Sequence, residues 1–315
     1  MSNPLHSQKP IVAITGPTAS GKSELAIELA LRLDGEIINC DSVQVYREIQ
    51  IATAKVPLAD RRGVPHHLID FVPPETNYTA GDWARDAAHA IREIESRGKV
   101  AIIVGGTGFY LRALRKPFFP SPTTDPELRR RVSAIRERHG NLHLHRMLRR
   151  LDPPSAEKLF EADWPRVQRA LEVRLQTGNR LSAIAPARRE PSIEVARLRL
   201  FALNPPRAEL YARINSRTEN HFATGLVDEV RMLLEKGVPA HSNALGAHGY
   251  RRVVEYLRGV RTLASAIEQT KLDVRHYAKR QLTWFRREAG VEWAEGFGSD
   301  PAVIEQVVSA LEIDA

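Results

Sequence analysis

The sequence predicts an α/β protein: a parallel sheet core flanked by helices and centred on a glycine-rich phosphate-binding loop (P-loop), with an inserted all-helical lobe. Three observations carry that expectation. First, a β-branched apolar run from Ile11 to Thr15 stops at glycine and proline, and a helical pattern follows from Ser23 to Leu33 with apolar Leu25, Ala26, Leu29, Ala30 and Leu33. Second, two more strand-like runs, Glu36 to Cys40 and Val100 to Val104, bracket a helical stretch from Trp83 to Arg97. Strands alternating with helices call for a parallel sheet covered on its faces, and ligands of such sheets bind beyond the carboxyl ends of the strands. Third, the texture changes after Leu114. Pro117, Pro120 and Pro122 punctuate a linker, and Pro126 to Leu151, Ser155 to Ala162 and Pro165 to Thr177 show helical periodicity without strands.

Arg197 to Ala202 then alternates as a strand does, and helical patterns return from Arg207 to Lys236, Tyr250 to Leu257 and Leu263 to Glu288. The chain is therefore expected to re-enter its first lobe. The expected division is residues 1–120 as the N-terminal part of the core, 121–199 as a basic helical insertion, and 200–315 as the C-terminal, mainly helical part of the core.

With 315 residues the chain exceeds the size at which one hydrophobic core keeps growing. Its 43% hydrophobic and 27% charged residues are ordinary for a globular protein and too apolar for a disordered one. No apolar run approaches the length of a membrane span, and Met1 to Lys9 lacks the regions of a signal peptide, so a cytoplasmic location without a membrane partner is expected. Cys40 is the only cysteine, which excludes an intrachain disulfide and a cysteine-rich zinc site. The net charge is +8, and the stretch from Ser121 to Arg199 holds 17 Lys and Arg against 10 Asp and Glu, an excess of +7. A concentrated basic surface favours a polyanionic partner bound less tightly as salt rises. A solvated Arg-rich helix surface accounts for the charge equally well.

Gly16-Pro17-Thr18-Ala19-Ser20-Gly21-Lys22-Ser23 satisfies the P-loop pattern G-x-x-x-x-G-K-[ST], with a strand before it and a helix after it. Glycines let backbone N–H groups curl round a phosphate, the helix N-terminus adds positive potential, Lys22 supplies a point charge, and the Ser23 hydroxyl is the metal ligand expected for Mg2+. A diphosphate fits these parts. The pattern leaves open what the diphosphate is attached to. Many nucleotide hydrolases place an aspartate near the end of a hydrophobic strand, whereas Val100 to Val104 ends in Gly105-Gly106-Thr107-Gly108. That weakens the motor and GTPase readings but leaves a small-metabolite kinase using ATP. Asp41, at the end of the second strand, is the best general-base candidate, and Ser42 and Gln44 offer groups that match a purine edge. A plain turn cap is the competing role for Asp41. His66, His67 and Asp70 fit no standard metal spacing, and His139, His143 and His145 are treated likewise. The run Arg275 to Arg287 could clamp RNA, or its aromatics could pack the core.

Taken together these motifs resemble the tRNA dimethylallyltransferases, also called tRNA isopentenyltransferases, in their short bacterial form. Besides Gly16 to Ser23, the marks are Asp41-Ser42-Val43-Gln44-Val45-Tyr46, Val64-Pro65-His66-His67-Leu68-Ile69-Asp70, and Gly105-Gly106-Thr107-Gly108-Phe109-Tyr110. Arg169-Ala170-Leu171-Glu172-Val173, Gly249-Tyr250-Arg251 and Tyr277 to Arg286 complete a set in the family's order from about Ile11 to Arg287. The resemblance implies that Gly16, Pro17, Thr18, Ala19, Ser20, Gly21, Lys22 and Ser23 hold the diphosphate of dimethylallyl diphosphate rather than a nucleotide. The catalytic set it implies is Asp41, Thr18, Lys22 and Arg217, with Asp41 taking the proton of an adenine amine as that nitrogen attacks the allylic carbon. It implies a tRNA partner, gripped at the anticodon stem-loop through Asp41, Ser42, Val43, Gln44, Thr107, Arg129, Pro165, Arg166, Val167, Gln168 and Arg169, with the target base swung out of its loop. A monomer is expected. Two positions depart from the family's pattern: Val274 stands where a threonine is usual, and His248 where an aliphatic residue is usual.

Overall fold

The computed structural model describes residues 9–116, 122–185, 190–191 and 193–312. The linker prolines Pro117 and Pro120, and most of the leading stretch to Lys9, lie outside the described residues. The chain forms two compact units, Met1–Arg115 with Ser192–Ala315, and Lys116–Pro191.

The larger unit is laid out as β1 (Ile11–Thr15), α1 (Lys22–Arg32), β2 (Gly35–Asn39), β3 (His66–His67), α2 (Ala80–Ser96), β4 (Val100–Val104) and α3 (Gly108–Arg115). The smaller unit holds α4 (Pro126–Leu151), α5 (Pro153–Lys158), α6 (Trp164–Thr177) and α7 (Leu181–Ile184). The larger unit resumes with β5 (Leu198–Leu203), α8 (Arg207–Ala223), α9 (Leu226–Glu235), α10 (Tyr250–Leu257), α11 (Leu263–Phe285), β6 (Val291–Ala294) and α12 (Pro301–Glu312). The six strands make one sheet in the order β3-β2-β4-β1-β5-β6, every pairing parallel. β1, β2 and β4 are buried along their whole length, as near-continuous Val and Ile runs require of strands covered on both faces. Because β1 lies between β4 and β5, the chain leaves it first towards one edge and later towards the other. Its carboxyl end is thus a topological switch point, where a crevice opens.

Several expectations are corrected. The helix expected from Arg207 to Lys236 is two helices, because Gly225 has a φ of 104° and breaks the backbone ladder between α8 and α9. Gly140, with φ 82° and ψ 170°, likewise kinks α4. The boundary expected at residue 199 falls inside β5, which starts at Leu198. Five elements were not expected: α3, read only as a glycine-rich turn at its start; α7, a single turn; β3, too short to show a period; β6, only four residues; and α12, whose Val303, Val307 and Leu311 join Leu25 and Leu29 of α1 in one core.

A second core of the larger unit gathers Val45, Tyr46, Ile49 and Val72 with Leu226, Val230, Leu233 and Tyr250. It is pinned by a buried carboxylate. Glu229 accepts the backbone N–H groups of Gln50 (3.0 Å) and Ile51 (3.1 Å) and the Tyr250 hydroxyl. In the smaller unit Val132, Leu144, Leu148, Val167 and Leu171 form the core, and Asp152 ties α5 to α7 by accepting from Ser155 and Ser182. Glu229→Ala leaves three donors unpaired in the second core and is expected to cost about 3 kcal/mol, against about 1 kcal/mol for Tyr250→Phe. Urea unfolding midpoints of the two variants check this ranking.

Candidate active site

The loop between β1 and α1 follows from its glycines. Gly16 (φ 133°) and Gly21 (φ 83°) take left-handed conformations, and a Cβ on Gly16 would press on the backbone of Leu203 in β5. Ala19 shares the left-handed region at φ 65°. Around this loop lies a cavity of about 570 Å³ lined by Thr18 to Ser23 together with Asn39, Asp41, Lys55, Arg213, Arg217 and Gln281. Pro17 is not part of the lining, but its carbonyl accepts from Lys22 Nζ at 2.5 Å. Ser20 Oγ is buried without a hydrogen-bond partner among the described residues.

A second cavity, of about 450 Å³, has a different wall: Val43, Tyr46, Tyr78, Phe109, Tyr110, Phe222, Leu226 and Tyr277, with Ser42, Thr107, His221 and His248 among its polar members. The two cavities share five residues, Thr18, Asp41, Thr53, Ala54 and Arg217, and Thr18, Asp41 and Arg217 are the ones among them that bring the seam's hydrogen-bonded and charged side chains. One is therefore cationic and built of backbone N–H groups, the other aromatic and apolar, and they meet at a hydroxyl, a carboxylate and a guanidinium.

At that seam Arg217 of α8 donates to Thr18 Oγ1 at 2.6 Å. Asp41 Oδ1 accepts the backbone N–H of Val43 (2.8 Å) and of Gln44 (3.3 Å), so the turn-cap role and the cavity position coexist in one side chain. Burial pushes the Lys22 ammonium down to about 7; Asp41 opposes the shift and Arg217 adds to it. Burial also lowers Arg217, again against the pull of Asp41. His221 falls to about 4, through burial and then the charge of Arg217. It lines the aromatic cavity as a neutral imidazole near neutral pH.

The loop after β4 shows why its glycines are needed. A Cβ on Gly105 would overlap the backbone of Cys40, one on Gly106 the amide of Gln281, and one on Gly108 the ring of Trp284. The loop is thereby pressed between the end of β2 and α11, and the Thr107 hydroxyl accepts the Ser42 N–H at 3.1 Å.

The structure brings Gly16 to Ser23, Asp41 to Val43, Thr107 and Arg217 to this one region. Gln44 is there too, but its Nε2 donates to the carbonyls of Thr53 (3.0 Å) and Ala54 (3.2 Å), which leaves only its oxygen for a base edge. In the helical unit Arg129 makes a bidentate pair with the buried Glu172, at 2.8 and 3.0 Å. Arg169 donates to the Pro122 carbonyl (2.6 Å), and the exposed Arg166 pairs with Asp163. Val167 is fully buried and Gln168 nearly so, the latter bonded to Ser133 and Glu172. Side-chain contacts to RNA expected of Val167 and Gln168 are corrected on that ground: a residue in the core of its own unit has no face to offer. Pro165 stays exposed.

His66 bonds the Val64 carbonyl, His67 pairs with Glu36, and Asp70 pairs with Lys55, three separate partnerships. Of the Arg275 to Arg287 run, Phe285 is buried in the core, while Tyr277 lines the aromatic cavity against His248 at a ring distance of 4.9 Å. Val274 lines the same cavity and packs against the cluster of Leu210, Ile214, Ala278 and Phe297. In the sequence Gln281 is marked only as part of the run Tyr277 to Arg286, with no role of its own, while the cavity-lining His221, Lys55 and Arg213 escape the sequence reading. None of the three has a local signal, since a single polar residue reads as solvated until its neighbours are known.

The chain matches the family described as IPP transferase over residues 44–288, and that described as isopentenyl transferase over residues 9–65. It is 47% identical over 296 residues to the tRNA dimethylallyltransferase of Solibacter usitatus, covering 94% of this chain and 96% of that protein. It is 45% identical to that of Geobacter metallireducens, covering 95% and 96%. Among solved structures it resembles the tRNA isopentenylpyrophosphate transferase of Bacillus halodurans, with a TM-score of 0.69, 36% identity and 97% of each chain covered. A eukaryotic dimethylallyltransferase captured acting on tRNA gives a TM-score of 0.80 at 27% identity, over 97% of this chain and 80% of that one. The chain belongs to the IPP transferase family.

Proposed function

We propose that this protein transfers the dimethylallyl group of dimethylallyl diphosphate to the exocyclic amine of the adenosine 3′ to the anticodon in tRNA, releasing pyrophosphate. The observation that carries the reading is the junction of the two cavities at Thr18, Asp41 and Arg217. A diphosphate suits the cationic cavity, with the loop's N–H groups, Lys22 and the unpartnered Ser20 hydroxyl as its donors. A five-carbon allyl chain and a flipped purine suit the aromatic one. The reacting carbon then falls at the seam. The adenine nitrogen forms its bond to C1 of the allyl group while the C1–O bond breaks and pyrophosphate leaves with the electron pair. Asp41 accepts the nitrogen's proton; its Oδ1 is held by two backbone N–H groups, which orients the carboxylate and leaves Oδ2 for the substrate. Arg217, fixed on Thr18, and Lys22 face the charge that grows on the departing oxygens.

Magnesium belongs to the proposal. Ser23 presents a hard oxygen donor to the diphosphate cavity, and among the described residues no group of three or more acidic, His or Cys side chains forms a complete cage. That donor set fits an ion which keeps waters and takes substrate phosphates as its remaining ligands. Bound there, Mg2+ would neutralise charge on the diphosphate. The tRNA contacts of the helical unit are assigned to Pro165, Arg166, Arg129 and Arg169, the last two already bent onto Glu172 and Pro122 and so held for a phosphate rather than waving in solvent. Among the described residues no helix is long and apolar enough to cross a membrane. A monomer acting in the cytoplasm completes the reading.

The test incubates the protein with magnesium, labelled dimethylallyl diphosphate and unmodified tRNA, with and without ATP. Label is expected on the RNA without ATP, and Asp41→Ala is expected to lower kcat by about a hundredfold to ten-thousandfold. ATP consumption with a small acceptor and unlabelled RNA would promote the metabolite kinase instead, and undiminished RNA function in Asp41→Ala would promote a plain RNA-binding role. Arg217→Ala is expected to cut kcat by about a hundredfold or more while the protein binds tRNA as before. Single-turnover transfer rates alongside filter-binding affinities check that split.

A further inference from the structure

Helix α11 reaches both substrate loops through one side chain. Gln281 is about 5% exposed, yet its amide is used at both ends. Its Oε1 accepts the backbone N–H of Thr18 at 2.8 Å, and its Nε2 donates to the carbonyl of Gly106 at 3.0 Å. Thr18 is the residue whose hydroxyl holds Arg217. Gly106 precedes Thr107, whose hydroxyl holds the Ser42 N–H next to Asp41. One turn earlier on the same helix, Tyr277 lines the aromatic cavity together with Thr107. A continuous chain of bonds therefore runs from Arg217 through Thr18, Gln281 and Gly106 to the loop that carries the general base.

Packing alone does not ask for this residue. A methionine fills the same volume without a polar atom, and an amide is tolerated in a core only when its groups are paired. Gln281 is paired, and both partners are backbone groups of the loops that hold the two substrates. The absence of a Cβ at Gly106, where one would overlap the amide, brings the loop close enough for the bond.

We infer that Gln281 is a positioning residue for the transfer reaction, setting the distance between the diphosphate loop and the acceptor-side loop so that C1 of the donor meets the adenine nitrogen. The inference rests on the transfer reading above. Its consequence is geometric: without the amide each loop still binds its substrate, but the two are held out of register, and a displacement of about 1 Å costs on the order of a hundredfold in rate.

Two variants test it. Gln281→Met keeps the volume and removes both bonds; kcat is expected to fall at least about tenfold, with KM for dimethylallyl diphosphate and for tRNA each within about threefold of the wild type. Gln281→Glu keeps an acceptor for Thr18 but sets an oxygen against the Gly106 carbonyl. Protonation turns that oxygen into a donor, so kcat of Gln281→Glu relative to wild type is expected to rise as pH falls, a recovery that Gln281→Met cannot show. Wild-type kcat in Gln281→Met overturns the inference. So does a loss in Gln281→Met with no acid recovery in Gln281→Glu, since a merely structural glutamine lowers the melting temperature and gives no such pH signature. If the wild-type protein itself leaves tRNA unlabelled, it is the transfer reading that fails.

Discussion

Two cations are held largely out of water against one carboxylate. Lys22 and Arg217 both lose charge affinity through burial, and Asp41 works against that loss at each of them. Removing charge from water is costly unless a partner stands close. One aspartate, already accepting two backbone N–H groups, balances part of the positive charge. The remainder is an electrostatic deficit with the shape of an anion, reinforced by the N-terminus of α1 and the curled loop before it. Much of the rest of the larger unit serves to keep that arrangement in place.

The parallel sheet does this by register. β1, β2 and β4 are neighbours or next neighbours, and because they run the same way their carboxyl ends deliver the diphosphate loop, Asp41 and the Gly105–Gly108 turn to one edge. Trp83 secures the end of β2 by donating to the Asn39 carbonyl at 2.7 Å from within the core, stacked on Tyr110. On the far side α8 supplies Arg217 and α11 supplies Gln281 and Tyr277, so the seam is closed by residues far along the chain. Long-range closure of this kind explains why the glycines after β4 tolerate so little. Each makes room for a specific neighbour from another element, Cys40, Gln281 or Trp284.

What was legible in the sequence was local. The β-branched runs ended by glycine gave away β1 and β4, the glycine spacing with Lys22 and Ser23 gave away an anion loop, and the position of Asp41 at a strand end placed it in the crevice. The resemblance of ordered motifs supplied the substrates that no spacing could supply. What was hidden depended on contacts between distant segments. Arg217 reads as an exposed helix arginine until α8 is laid against the loop. Val167 and Gln168 sit inside a matching motif, but the 3.6-residue period of α6 turns them inward to Val132 and Ser133 while Arg166 faces out. The break at Gly225 was visible as a residue and not as a conformation, because glycine inside a helical pattern is compatible with either outcome. β6 and α12 complete the sheet and cover α1 through packing rather than through any strong local period.

The central claim, that the larger unit is built round a diphosphate, is tested most directly by counting protons. Lys22 loses its charge as pH rises through about 7, and a bound diphosphate stabilises the ammonium, so binding at about pH 8 must draw a proton in. Calorimetric titration with dimethylallyl diphosphate and magnesium, repeated in buffers of different ionisation enthalpy, measures that uptake. The account predicts an uptake approaching one proton, absent in Lys22→Met, with affinity weakening as pH rises above about 7. Binding that takes up no proton and keeps the same affinity across that range would contradict it.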